Sequence, residues 1–183
     1  MNKKVDYPVS DIRHYLEPGP VVLVTSRWQD ETDVMTLGWH TVMEFTPSLV
    51  GCIIASGNHS FELIRSSREC VINIPTADMI DTVTDIGNCS GADVDKFSRF
   101  GLHTSVAEKV RAPLLDDCFV SLECKIYDDC LIDTYNYFIF EVVKAHAAPS
   151  PKYPQTVHYT GDGQFREAGR HVSRRERFLP QNL

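Results

Sequence analysis

Residues 34–60 read VMTLGWHTVMEFTPSLVGCIIASGNHS, and three pieces of different character follow one another in them. A segment dense in Met35, Thr36, Trp39 and His40 comes first, then the apolar run Leu49 to Ala55, then the polar knot Ser56-Gly57-Asn58-His59-Ser60. The run LVGCIIA is apolar at both alternating sets of positions, which predicts a strand buried on both faces. Pro47 separates that strand from the segment before it, because proline has no N–H to give a ladder. The knot then leads into a helical period. A strand, a glycine turn and a short helix make one unit of a sheet with short helices laid against it.

Reading outward toward the N-terminus, Val21 to Ser26 is a β-branched run and the first strand. Gln29-Asp30-Glu31-Thr32 forms a polar turn, so Asp33 to His40 returns as the second arm of a hairpin. Pro18-Gly19-Pro20 sets a turn before both.

Toward the C-terminus, His59 to Ser67 places Phe61, Leu63 and Ile64 on one side of a helix, with Asn58 or Ser60 as its N-cap. Cys70 to Ile74 is a strand closed by Pro75. Met79, Ile80, Val83 and Ile86 recur at helical spacing within Thr76 to Ile86. The segment NCSGADVDKFSRFGL, residues 88–102, opens with a Ser-Gly turn, and Asp93 is a candidate cap for a short helix that Gly101 stops. Cys118, Val120, Leu122, Cys124 and Ile126 alternate with Ser121, Glu123 and Lys125, which predicts a half-buried strand with its cysteines inward. Asp128, Asp129 and Asp133 mark a turn region before a longer strand, Tyr135 to Ala148, and Gly161-Asp162-Gly163 turns the chain before Phe165. About six or seven strands with short helices, and no long helix after each strand, predict a mainly β fold. Its sheet is mostly antiparallel and closed as a barrel, not doubly wound.

At 183 residues and 43% apolar content, the chain is sized for one domain, residues 1–183, with no linker-like stretch inside it. A formal charge of -7 argues against nucleic acid as a partner, since gripping phosphates needs a clustered basic face. The first residues, MNKKVDYPVSDIRHYLEPG, lack the apolar segment of a signal peptide, and no apolar run reaches the ~20 residues of a membrane span. Six cysteines occur with no CxxC pair, and Cys52, Cys70, Cys118 and Cys124 lie in apolar strand-like runs. Reduced buried thiols in a cytoplasmic protein are therefore expected, ahead of a disulfide framework or a metal site.

No GxGxxG after a strand, no GxxxxGK[ST] loop and no HExxH helix is present, so a nucleotide or redox cofactor would be held another way. The knot at Ser56 to Ser60 offers one. A glycine turn delivers hydroxyl and amide side chains to the start of a helix whose free N–H groups and dipole favour an anion; an ordinary helix cap explains the same residues. Trp39 and Met35 are large and polarisable, and Thr36 and Gly38 leave backbone open to a flat ligand. An inward strand face of Met35, Leu37 and Trp39 is the plainer alternative.

The motifs DVMTLGWH, SLVGCIIASGNHSFELI, CVINIP, SGADVDKFSRFGL and APLLDDCFVSLEC, in this order, resemble the flavin reductase-like family over roughly residues 18–167, and its flavoredoxin branch most. The resemblance implies an FMN-binding split β-barrel of Greek-key type and a homodimer. It implies that Met35, Thr36 and Trp39 lie along the isoalloxazine and ribityl chain, that Ala55 and Ser56 also touch it, and that Asn58 and Ser60 take the phosphate. Lys96 in DVDKF resembles a lysine that reaches the flavin, and Phe165 in HYTGDGQF an aromatic near the ring. Such a cation would stabilise the negative charge of reduced flavin. Two positions depart from the family pattern. Asp33 stands where asparagine is frequent, at the head of the cofactor stretch, and Asp133-Thr134-Tyr135-Asn136-Tyr137 replaces a Gly-x-His pattern.

The function this implies is an oxidoreductase moving hydride or electrons from NADH, NADPH or a protein donor through FMN to flavin or another acceptor. No acid–base triad is expected, because the flavin carries the chemistry. A non-catalytic flavin-binding electron carrier is the alternative from another class, and a thiol or metal protein built on the cysteines is a weaker third. Beyond residue 165 the chain turns basic. Arg166, Arg170, Arg174, Arg175 and Arg177 against Glu167 and Glu176 make residues 166–183 net positive by three, leaving about -10 on the rest. Arg166, Arg170 and Arg174 would share one face of a helix, lying across an acidic partner subunit or solvated as a free end.

Overall fold

A computed structural model of the chain describes residues 19–151 and 154–182. The expected N-terminal features before Gly19 lie outside the described residues. Seven antiparallel strands form one sheet: β1 (Val22–Trp28), β2 (Glu31–Leu37), β3 (His40–Phe45), β4 (Ser48–Ile53), β5 (Glu69–Ile74), β8 (Val120–Asp128) and β9 (Tyr137–Ala147). Their order is β2-β1-β5-β8-β9-β4-β3. The two outermost strands, β2 and β3, are joined by Gly38 and Trp39 alone, so the sheet must curl until its edges meet at that corner. The result is a split barrel with short helices: the strand count predicts an antiparallel barrel, and the family resemblance its split form. Two small ladders complete it: β6 (Thr104–Ser105) with β7 (Leu114–Leu115), and β10 (Val157–Gly161) with β11 (Gln164–Glu167).

The corner corrects one expectation. Asp33 to His40 does not continue as a single arm: β2 ends at Leu37, and His40 opens β3. Met35 and Leu37 are buried, whereas Trp39 is 51% exposed, so the three do not share an inward face. Strand β3 itself, HTVMEF, went unanticipated because it is an edge strand exposed along most of its length and carries no amphipathic signal. The same exposure leaves Leu49, Val50 and Ile53 of β4 only half-buried, against the expectation of burial on both faces.

Strand β1, between β2 and β5, is covered on both faces. Val22 and Val24 face one cluster with Met35, Leu37, Cys52, Phe61, Ile64, Cys70, Cys124, Phe138 and Phe140. Strands from all round the sheet meet there, so it is the barrel interior. Val21 and Leu23 face the opposite side, against Val34, Val83, Ile86, Leu115 and Val157. Burial on both faces is why VVLV is uninterrupted.

Helix α1 (His59–Ser67) buries Phe61, Leu63 and Ile64 as its period predicts. A 3₁₀ turn (Ala77–Met79) precedes α2 (Ile80–Gly87), which buries Val83 and Ile86. Helix α3 (Lys96–Phe100) is capped by Asp95, two residues later than the candidate Asp93, and stopped by Gly101 at φ 61°. Asp95 accepts from the N–H groups of Phe97 (3.0 Å) and Ser98 (3.2 Å). A single turn, α4 (Ile132–Tyr135), occupies the expected loop before β9.

The polar face of β8 is also covered. Ser121 and Glu123 are buried, because residues 106–115 fold over them. Glu123 anchors that loop by accepting from the backbone N–H groups of Glu108 (3.0 Å), Lys109 (2.5 Å) and Val110 (3.2 Å), and it pairs with His146 Nε2 at 2.7 Å. Glu69 does the same for Arg111, through its N–H at 2.8 Å and its Nε at 2.9 Å.

All six cysteines are free thiols, three of them buried. Burial pushes the thiols of Cys52 and Cys70 well up, and that of Cys118 to about 12, so these remain neutral hydrophobes. Among the described residues no group of three or more His, Cys, Asp or Glu is arranged to hold a metal, and no helix is long and apolar enough to cross a membrane. The tail does not form the expected helix. Arg166 belongs to β11, and beyond it only 3₁₀ turns occur at Arg175–Arg177 and Pro180–Asn182.

Candidate functional site

Strand β2 divides two cavities by the parity of its side chains. The larger, about 710 Å³, is walled by Thr36, Gly38 and Trp39 on one side, by Ile80, Val83 and Thr84 of α2 on another, and by Tyr159 and Phe165 of the small hairpin on a third. Tyr159 and Phe165 pack edge to face with ring centres 5.1 Å apart, which makes a stiff aromatic wall. Positive φ at Gly161 (93°), Asp162 (53°) and Gly163 (72°) permits the tight turn that returns Phe165 to Tyr159. Thr36 is fixed by donating its hydroxyl to Val83 O at 2.7 Å.

The smaller cavity, about 180 Å³, is polar and lies at the N-terminus of α1. Asp33, Met35, Gly57, Asn58, His59 and Lys96 line it, together with the loop Gly87 to Gly91. Gly87 and Asn88 line both cavities, so the two adjoin there as parts of one candidate cleft.

The knot behaves differently from an ordinary cap. Asn58 stands at the N-cap position of α1, yet its side chain makes no capping hydrogen bond; Nδ2 turns back to Ala55 O at 3.1 Å. Ser60 is buried and donates to Asp33 Oδ2 at 2.6 Å. Neither candidate side chain satisfies the first-turn amides, which is what an anion site at a helix N-terminus requires. His59 Nε2 sits 2.9 Å from Glu31.

Asp33 and Lys96 form a buried pair, 2% and 4% exposed. Lys96 Nζ donates to Val34 O at 2.7 Å and lies 3.4 Å from Asp33 Oδ1, which itself receives no hydrogen bond. Gly91 closes over this carboxylate so tightly that a Cβ there would collide with it.

The cleft thus brings together seven of the residues singled out in the sequence: Thr36, Trp39 and Phe165 in the large cavity, and Asp33, Met35, Asn58 and Lys96 in the small one. Ala55 and Ser56 are exposed on the knot and line neither cavity, and Ser60 lies behind Asp33. Lys96 is in the other cavity from Trp39 and Phe165. The sequence reading missed the inner face of α2, Asn88 and Tyr159. Tyr159 stands in HYTGDGQF beside Phe165, but Asn88 carries no signal except its place before Ser90-Gly91.

The family model described as the flavin reductase like domain matches residues 14–168 of this chain. The chain belongs to the flavin reductase-like family. An uncharacterised protein of Pyrococcus abyssi is 30% identical over 128 residues, covering 70% of this chain and 73% of the relative. The FMN-binding domain of a flavin reductases-like enzyme from Shewanella baltica superposes with a TM-score of 0.77 at 25% identity, over 91% of this chain and 95% of that one. Flavoredoxin from Methanosarcina acetivorans gives a TM-score of 0.82 at 19% identity over 100% of both chains, which shows a shared fold. Family and fold agree, and the flavin reductase-like chain carries its two adjoining cavities on either side of β2.

Proposed function

We propose that this flavin reductase-like protein is an FMN-binding oxidoreductase of the flavin reductase or flavoredoxin type. The observation that carries the reading is the pair of adjoining cavities, an apolar and aromatic one of about 710 Å³ that shares Gly87 and Asn88 with a polar one at a helix N-terminus. FMN has the same division, a flat ring at one end and a hydroxylated chain ending in phosphate at the other. A cavity of several hundred Å³ with few polar groups is the usual size for such a ligand. Thr36, Trp39, Tyr159 and Phe165 would hold the ring, and the first-turn amides of α1 with Asn58 the phosphate. When bound, the flavin would take hydride from NADH or NADPH, or electrons from a protein donor, and pass them to free flavin or another acceptor. The chain's own part is to position the ring against the α2 wall and to keep water from one face of it.

A homodimer is part of the same reading. Trp39, Val42, Met43 and Phe45 are exposed along edge strand β3 next to the large cavity, and an unpaired apolar edge invites a second copy. Free thiols throughout agree with a reducing, cytoplasmic setting.

The test is the absorbance spectrum of the purified protein, then titration with added FMN, then with NADH and NADPH. Oxidised flavin bands and bleaching by a nicotinamide are the expected results. A colourless protein that takes up no FMN would refute the proposal; FMN held without turnover would mark a carrier instead.

A further inference from the structure

We infer that Asp33 is the residue that sets flavin affinity: it cancels Lys96 inside the small cavity, so the site grips a phosphate weakly and leaves the flavin exchangeable. The inference rests on the flavin-site reading above and goes beyond it in assigning flavin the behaviour of a passing substrate.

Ser60 is the second residue of α1, and its hydroxyl holds Asp33 Oδ2 at 2.6 Å. The carboxylate is therefore anchored at the helix N-terminus, where the dipole and free amides would otherwise serve a phosphate alone. Gly91 backbone lies close over the carboxylate, so the side chain cannot move toward that loop when a ligand enters. The nearest cation, Lys96, is already committed to Val34 O at 2.7 Å and to Asp33 itself at 3.4 Å. The other basic residue lining this cavity is His59, which faces Glu31 at 2.9 Å. A phosphate dianion thus meets a set of side chains with little net positive charge, and a second anion close by in a poorly solvated space.

Asp33 Oδ1 receives no hydrogen bond although the residue is 2% exposed. A buried acceptor of this kind seeks a donor. A ligand hydroxyl supplies one, whereas a fully ionised phosphate has no proton to give. The cavity is consequently built to read the hydroxyls of a polyol chain, with the phosphate contributing little.

Dissociation constants of FMN and of riboflavin, which lacks only the phosphate, measured by flavin fluorescence with wild type and Asp33→Asn, test this. Wild type should prefer FMN over riboflavin by less than about tenfold, and Asp33→Asn should raise that preference about tenfold, whatever the loss of the carboxylate does to the hydroxyl contact the two ligands share. A wild-type preference above about tenfold would overturn the inference even if the variant fails to fold. So would an Asp33→Asn variant whose preference for FMN over riboflavin is unchanged or smaller. Failure of wild type to bind either flavin is a separate result, which removes the flavin site itself.

Discussion

Buried charge is the most informative feature at the scale of single residues. Glu123 is fully buried, and its carboxyl is nevertheless held below the ordinary value. Burial alone would raise it; the His146 hydrogen bond and the amides of Glu108 and Lys109 outweigh that by favouring the charged form. A depressed carboxyl contributes stability above the unfolded value of roughly 4.3 and loses it as pH falls through the folded one. Glu123→Gln should therefore cost about 2 kcal/mol at neutral pH and flatten the acid limb of stability, as read by urea unfolding across pH. Lys96→Met strands Asp33 as an unpaired buried charge and should cost roughly 3 kcal/mol, part of which Asp33→Asn restores in the double variant. Asp33 was legible in the sequence as an oddity at the head of the cofactor stretch. Its pairing with Lys96 was not, because 62 residues separate the carbonyl of Val34 from that lysine.

Among the elements, α3 shows how local chemistry serves the site. Five residues make a weak helix on their own, and two devices hold it: the Asp95 cap, whose carboxyl is pulled down first by the Ser98 hydroxyl, and Gly101 in the left-handed region. Asp95→Ala should lower the melting temperature and loosen Lys96, the residue next to the cap, while Asp95→Asn should retain part of both; calorimetry with and without FMN checks this. Gly91→Ala should destabilise by about 1–3 kcal/mol, since the new methyl must displace the Asp33 carboxylate. The helical periods of α1 and α2 were legible because they are contained within a dozen residues. Strand β3 was not, since nothing in HTVMEF records that the sheet ends there.

For the molecule as a whole, the question is what covers the edge at β3. Phe45 is 86% exposed and Val42 68%. If a second copy covers them, Phe45→Glu should halve the mass seen by light scattering and leave the far-ultraviolet circular dichroism unchanged; an unaltered mass would place the interface elsewhere. The basic tail offers a second handle. Deleting residues 168–183 should leave the mass unchanged if the tail is a solvated end, and reduce it if the tail straps a partner subunit.

By itself the sequence determined the class of fold and part of the lining of the cleft. Alternation, turn residues and helical period are local quantities, and they fix strands, short helices and their order. Of the ten residues singled out in the sequence, seven line the two cavities. Only the tertiary structure decided which of them face one another. Packing of α1, α2 and α3 against β2 makes one cavity on the Asp33 and Met35 side of the strand and another on the side of Thr36 and, past the strand end, Trp39. It also hides Ser60 behind Asp33 and seats Lys96 on Val34. These partners lie far apart along the chain, and close approach between distant residues is set by how the whole sheet closes, which no single stretch of sequence encodes.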